Sequence, residues 1–161
     1  MSATIRKISR ADNDAVARII RTVMPEFGAS GQGFAIHDSE VGDIYTAYNT
    51  GRAAYFVCEQ NGEILGGGGI APLQGGPLEI CELKKMYFLP AGRKKGLGQR
   101  LLKHCLDAAA ALGFDKCYIE TFNTMKDAMK LYERNGFKRI AGPLGQTGHF
   151  ACDTFYLLEL K

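Results

Sequence analysis

At 161 residues, 46% hydrophobic and 23% charged, the chain has the size and composition of one globular domain spanning residues 1–161 and is too short for a two-domain enzyme. A net charge of +3 excludes a wholesale nucleic-acid coat, and five scattered cysteines without a C-x-x-C pair exclude a disulfide framework or a zinc knuckle. The N-terminus has no signal-peptide stretch and no segment approaches ~18 apolar residues in a row, so a cytoplasmic protein without a membrane partner is expected.

Thr4 to Ser9 is a short β-branched run that predicts a first strand, and Asp12 offers an N-cap for a helix with Val16, Ile19, Ile20 and Val23 on one face, ended by Pro25. Glu26 to Ile36 is glycine-rich and lacks periodicity, which predicts a mobile loop. A second helix is expected from Asp38 or Ser39, because Val41, Ile44, Tyr45 and Tyr48 recur at helical spacing. Ala53 to Gln60 and Glu63 to Ala71 flank Asn61-Gly62, a strong hairpin signal, and a turn at Gln74 to Pro77 leads to a long strand from Leu78 to Leu89. These three strands form an antiparallel meander, in which the run Gly66 to Gly69 predicts a bulge or a crowded backbone approach.

Beyond Pro90, Leu97, Leu101, Leu102, Cys105, Ala108, Ala109 and Leu112 mark a helix that Gly113 closes. Cys117 to Thr121 is a short strand, Met125, Ala128, Met129 and Tyr132 mark another helix stopped by Asn135-Gly136, and Phe137 to Ile140 and Thr154 to Leu160 supply the last two strands. Strand-helix-strand units in the second half imply parallel pairing there, so an α/β fold on a mixed sheet is predicted.

The segment from Pro90 to Leu102 joins a strand end to a helix start, where unpaired backbone N–H groups and the helix dipole favour an anion. Gly96 and Gly98 let the backbone approach a ligand, a geometry suited to pyrophosphate. Seven basic residues (Lys84, Lys85, Arg93, Lys94, Lys95, Arg100, Lys103) and no acidic one lie between Lys84 and Lys103, which predicts a concentrated positive site. Aromatic residues that would stack bases are not interleaved with it, which argues against nucleic acid. No P-loop pattern and no G-x-S-x-G elbow occur, and His37, His104 and His149 show no ligand spacing, so no metal is expected.

Arg93-x-x-Gly96-x-Gly98 resembles the acetyl-CoA signature of the GNAT superfamily of N-acetyltransferases. Glu82 to Pro90 resembles the strand before that signature, and Ala128-x-x-Leu131-Tyr132-Glu133-x-x-Gly136-Phe137 resembles the family's closing helix-to-strand motif, so the likeness covers residues 53–140 well. The resemblance implies a splayed central sheet flanked by helices. It implies that Met86, Tyr87 and Phe88 meet the pantetheine arm of acetyl-CoA, and that Arg93, Lys94, Lys95, Gly96, Leu97, Gly98 and Gln99 cradle its pyrophosphate. Met125 stands where many members carry an asparagine. The family also admits a homodimer.

Acetyl transfer from a thioester to a primary amine needs a neutral amine and gains from a proton donor at the leaving thiolate. Tyr132, whose phenol ordinarily titrates near ~10, is the donor the resemblance implies; alternatively it only packs with Met125 and Met129. Glu82 matches the general base of the histone acetyltransferase branch, or is a structural carboxylate, and on a regular strand it would share a face with Lys84, Met86 and Phe88. His149 is a candidate proton shuttle beside the acceptor or an ordinary loop histidine, and Phe34 and Tyr45 are candidates for the acceptor side. Glu26, Asp38, Glu40 and Asp43 could attract a cationic amine, although helix capping explains Asp38 equally well. Two functions follow, an acetyl-CoA-dependent N-acetyltransferase and a non-catalytic acyl-CoA-binding or sensing module. The sequence leaves the amine open.

Overall fold

The computed structural model describes residues 2–161. Its elements are β1 (Thr4–Lys7), α1 (Asn13–Glu26), α2 (Ile44–Tyr48), β2 (Ala54–Gln60), β3 (Glu63–Pro72), β4 (Ile80–Phe88), α3 (Leu97–Ala111), β5 (Lys116–Thr121), α4 (Lys126–Arg134), β6 (Lys138–Ile140) and β7 (Thr154–Glu159). The seven strands form one sheet in the order β1-β2-β3-β4-β5-β7-β6. Every neighbouring pair is antiparallel except β4 and β5, so the sheet is mixed as expected. The parallel pairing is brief: only Ile80 to Glu82 match Lys116 to Tyr118, after which the two strands part. From Leu83 to Phe88 this edge of β4 therefore pairs with no strand among the described residues. That splay opens the sheet at its centre.

Alternation sends side chains to two cores, one on each face. Ala54, Phe56, Cys81 and Leu83 pack with Leu101, Leu102 and Cys105 of α3 and with Leu131 and Tyr132 of α4. Tyr55 and Val57 pack on the other face with Val16, Ile20 and Met24 of α1 and with Ile44 and Tyr48 of α2.

The expected single face for Glu82, Lys84, Met86 and Phe88 is corrected by a bulge. Gly67 pairs with Tyr87 and Gly69 with Lys84, so β4 spends one residue more than β3 over this stretch, and Lys85 takes a left-handed φ of 53°. Met86 and Phe88 thereby join the α3 side with Cys81 and Leu83, while Tyr87 falls on the α1 side, where Glu82 adjoins Met24. The glycine run opposite is explained by crowding as well as by the bulge. A Cβ on Gly66 would lie 2.3 Å from the Phe88 ring, and one on Gly68 2.9 Å from Met86 Cβ.

Three local expectations change. Pro25 sits inside the last turn of α1, and the helix closes at Gly28, whose φ of 83° lets Ala29 N–H turn back to Met24 O at 2.9 Å. Asp12 precedes α1, but its carboxylate is taken up by Arg6 at 2.8 Å and Ser9 N–H at 2.7 Å instead of capping the helix. The second helix is broken into 3-10 turns at Ala35–His37 and Ser39–Gly42 and the short α2, whose first turn is capped by Asp43 accepting from Thr46 N–H at 3.1 Å. Asp38 caps nothing because its carboxylate binds Lys85 and His149. The five cysteines are free thiols, four of them buried, and no helix of the described residues is long and apolar enough to cross a membrane.

Candidate active site

The turn between β4 and α3 carries no side-chain cap, and among the described residues no backbone carbonyl accepts from the N–H groups of Lys94 to Gln99. Gly96 has a φ of 75° with nothing within 4 Å of a would-be Cβ, and Lys94 also takes a left-handed φ, of 62°. Successive N–H groups in such a turn form an anion-binding concavity at a helix N-terminus. Arg93 fixes the turn to the end of β4: its Nε donates to Phe88 O at 2.9 Å while its Nη1 meets Glu26 at 2.6 Å.

From this turn a groove of about 370 Å³ runs along the splay between β4 and α4. Its walls include Met86, Tyr87, Phe88, Arg93, Lys94, Gly96, Leu97, Gly98, Gln99 and Tyr132. Lys95 is exposed and stands outside it, between the two left-handed residues. Tyr132 is 5% exposed, packs against Phe137 and edge-on to Tyr156, and its hydroxyl makes no hydrogen bond among the described residues. Burial pushes its phenol above the ordinary tyrosine range, so it stays protonated at neutral pH.

On the other face of the sheet lies a small chamber of about 30 Å³, walled by Met24, Ala35, Tyr87, Phe122 and Cys152 and floored by Glu82. Glu82 is 4% exposed and has no ion-pair or hydrogen-bond partner among the described residues. Burial raises its carboxyl to about 7, against partial relief from the charges of Lys84 and His149. His149 is held from both sides, Nε2 at 2.8 Å from Asp38 and Nδ1 at 3.2 Å from Glu120. Burial alone would lower its pKa, but the two carboxylates outweigh it and raise the ring to about 9. Asp38 moves the other way, to about 2, because His149 and Lys85 overcome its own burial. At neutral pH His149 is therefore held as an imidazolium with both N–H groups engaged, which favours the hydrogen-bonded loop histidine of the two alternatives over the proton shuttle. Glu82, Glu120 and His149 bring ligand atoms within 4.8 Å of one another, but a metal there would have to displace the bond from His149 to Glu120.

The predicted basic cluster divides. Lys84 meets Glu40 at 3.1 Å and Lys85 meets Asp38 at 2.7 Å on the chamber side, while Lys103 pairs with Asp107 and Arg100 binds Ala3 O. The groove instead recruits Lys130 and Arg134, one turn apart on α4, which the sequence reading missed; their i, i+4 spacing on an otherwise apolar-faced helix was the available signal. Glu120 was also missed, although a lone acid in the buried strand Cys-Tyr-Ile-Glu-Thr marks it. Phe34 lies behind the chamber, edge-on to Phe122 at 5.2 Å. Tyr45 is in neither cavity: it lines a separate groove on the far side with Phe56 and His104, under the Arg10 guanidinium. Glu26, Asp38 and Glu40 are all engaged in ion pairs, and Asp43 is the α2 cap.

Residues 17–137 match the family model described as the acetyltransferase (GNAT) family. The chain is 44% identical over 160 residues to the uncharacterized N-acetyltransferase YjgM of Escherichia coli (strain K12), covering 99% of this chain and 96% of that one. Its fold is similar to that of an acetyltransferase of the GNAT family from Staphylococcus aureus Mu50, with a TM-score of 0.87 at 21% identity over 99% of this chain and 100% of that one. It is similar too to yncA from Salmonella typhimurium, solved with its cofactor acetyl-CoA, with a TM-score of 0.79 at 22% identity over 100% and 95% of the two chains. The splayed mixed sheet, the uncapped glycine turn at its opening and a full-length N-acetyltransferase relative together establish that the chain belongs to the GNAT family of acetyltransferases.

Proposed function

We propose that the chain transfers an acetyl group from acetyl-CoA to a primary amine by direct attack of the amine nitrogen on the thioester carbonyl, with Glu82 taking a proton from the amine and Tyr132 giving one to the departing sulfur. The observation that carries this reading is Tyr87, whose ring walls both the groove and the chamber, so a thioester in one and an amine in the other are neighbours. The free N–H groups of Lys94 to Gln99 suit a pyrophosphate, and Lys94, Lys130 and Arg134 add charge to the same groove. The unpaired edge of β4 offers Met86 and Phe88 backbone groups to an extended amide-bearing arm. Acetyl-CoA bound there supplies the activated acyl carbon. The chain's own residues hold it, exclude water and handle the protons.

A base works best when its pKa lies near the working pH, and Glu82 at about 7 meets that condition. The raised value sets the sign: above it the carboxylate is free to accept a proton, below it the group is already protonated. Thiol release from acetyl-CoA with a panel of primary amines, followed against pH, tests this. The wild type is expected to lose rate below about pH 7, and Glu82→Gln to be slower by ~10²–10⁴-fold above that pH with no inflection. A variant with the wild-type rate and inflection removes Glu82 from the mechanism. Tight acetyl-CoA binding without thiol release on any amine supports a non-catalytic acyl-CoA-binding module instead.

A further inference from the structure

The charges around the chamber are matched among themselves. Lys84 is paired with Glu40 at 3.1 Å, Lys85 with Asp38 at 2.7 Å, and His149 lies between Asp38 and Glu120. Three cations thus face three carboxylates, and their side chains are withdrawn from water: that of Lys85 is 1% exposed and that of His149 9%. The one charged group left over is Glu82. Both ring nitrogens of His149 are occupied, so it has no donor left for a substrate carboxylate. The rest of the wall is apolar, and the chamber holds about 30 Å³, room for a group about the size of one water. Next to His149 in the chain, Phe150 is 78% exposed, and its ring covers Gly33 so closely that a Cβ there would lie 2.8 Å from it.

Resting on the function proposed above, we infer that the acceptor is a primary monoamine, with no carboxylate beside the reacting nitrogen and no second ammonium along its apolar stem. An α-amino acid would bring a carboxylate into a chamber whose cations are all engaged, and a buried charge without a partner is strongly unfavourable. A diamine would bring a second ammonium that could be neutralised only by breaking an existing pair. A monoamine brings one charge, and Glu82 removes it. The protons balance: one ammonium proton passes to Glu82 and on to solvent, the nitrogen forms its bond to the acyl carbon as the carbon–sulfur bond breaks, Tyr132 protonates the departing sulfur, and the second nitrogen proton restores the Tyr132 phenol.

Matched acceptors test the inference with the full chain. Initial rates of thiol release from acetyl-CoA are compared for phenethylamine against phenylalanine, which differ by one carboxylate, and for pentylamine against cadaverine, which differ by one ammonium. The expected result is a kcat/KM at least ~10-fold higher for the monoamine of each pair, the order expected when a buried group is left unpaired. Glu40→Gln, which releases Lys84, is expected to narrow the first ratio by raising the rate on phenylalanine. A capped lysine amide carries the same stem on a peptide, and its rate relative to pentylamine tells a polypeptide side chain from a free amine as the source. Equal or higher kcat/KM for phenylalanine or cadaverine overturns the inference while leaving acetyl transfer intact. Thiol release with none of these acceptors overturns the transferase reading itself.

Discussion

The groove beside α3 is made largely from one stretch of chain, residues 86–99, with one face of α4 and, from the end of α1, Val23 and Phe27 laid against it. The chamber around Glu82 is assembled from Asp38, Glu40, Lys84, Lys85, Glu120 and His149, which come from four separate segments. In the groove, recognition rests on backbone N–H groups and apolar surface, which barely respond to pH. In the chamber it rests on buried charges whose pKa values depend on one another. The two regions share Tyr87, yet the proposed reading gives one a large anionic ligand and the other the task of refusing unmatched charge.

Substitutions in the groove should therefore act on acetyl-CoA, and substitutions in the chamber on the acceptor and the pH profile. In the groove the largest expected effect is from Gly96→Val, because a β-branched residue at a φ of 75° is strained and its side chain enters the turn proposed to hold phosphate; KM for acetyl-CoA should rise ~10–100-fold with an unchanged pH profile. Tyr132→Phe should lower kcat by ~10-fold or more while leaving binding of acetyl-CoA, followed by calorimetry, within a factor of two to three. A Tyr132→Phe variant with full kcat across the pH range would remove the proton donor from the groove.

His149→Gln should move the acid limb of kcat/KM upward by roughly one pH unit, because the imidazolium is one of the charges that hold the Glu82 carboxyl down. The same variant probes stability. A histidine raised from 6.5 to about 9 stabilises the fold fully below 6.5 and ceases to do so as the pH rises through about 9, so the wild-type Tm should fall over that window and the variant's should not. Tyr45→Ala should be the smallest effect, with kcat and KM within about twofold of wild type, since Tyr45 faces neither cavity. A large kinetic defect there would show that the far groove communicates with the site.

The same contrast explains what could be read before the fold was known. The meander, the phosphate turn and Tyr132 were legible because each is written in consecutive residues: Asn61-Gly62, Gly96 with Gly98, and the α4 stripe. The chamber was not, because whether His149 shuttles or holds a proton depends on Asp38, 111 positions away in sequence, and on Glu120, 29 positions away. The absence of acidic residues between Lys84 and Lys103 likewise concealed that two of the seven cations, Lys84 and Lys85, turn toward Asp38 and Glu40. Pro25 and Asp38 misled for a local reason. A proline is tolerated in the last turn when a left-handed glycine completes the stop, and an aspartate at a plausible cap position binds a lysine when one lies closer.

The bulge at Lys85 makes β4 two strands in series that differ by half a period. Upstream, Glu82 looks into the acceptor chamber; downstream, Met86 and Phe88 look toward α3 and the phosphate turn. Straightening the bulge with Lys85 kept in the strand would not be a local lesion. It would invert the phase of everything from Met86 to Leu89, exchanging the ring shared by the two cavities for a methionine or a phenylalanine. Because the phase is reset there, a single strand carries two independently adjustable surfaces, and on the proposed reading side chains before the bulge can vary with the amine while those after it stay matched to acetyl-CoA.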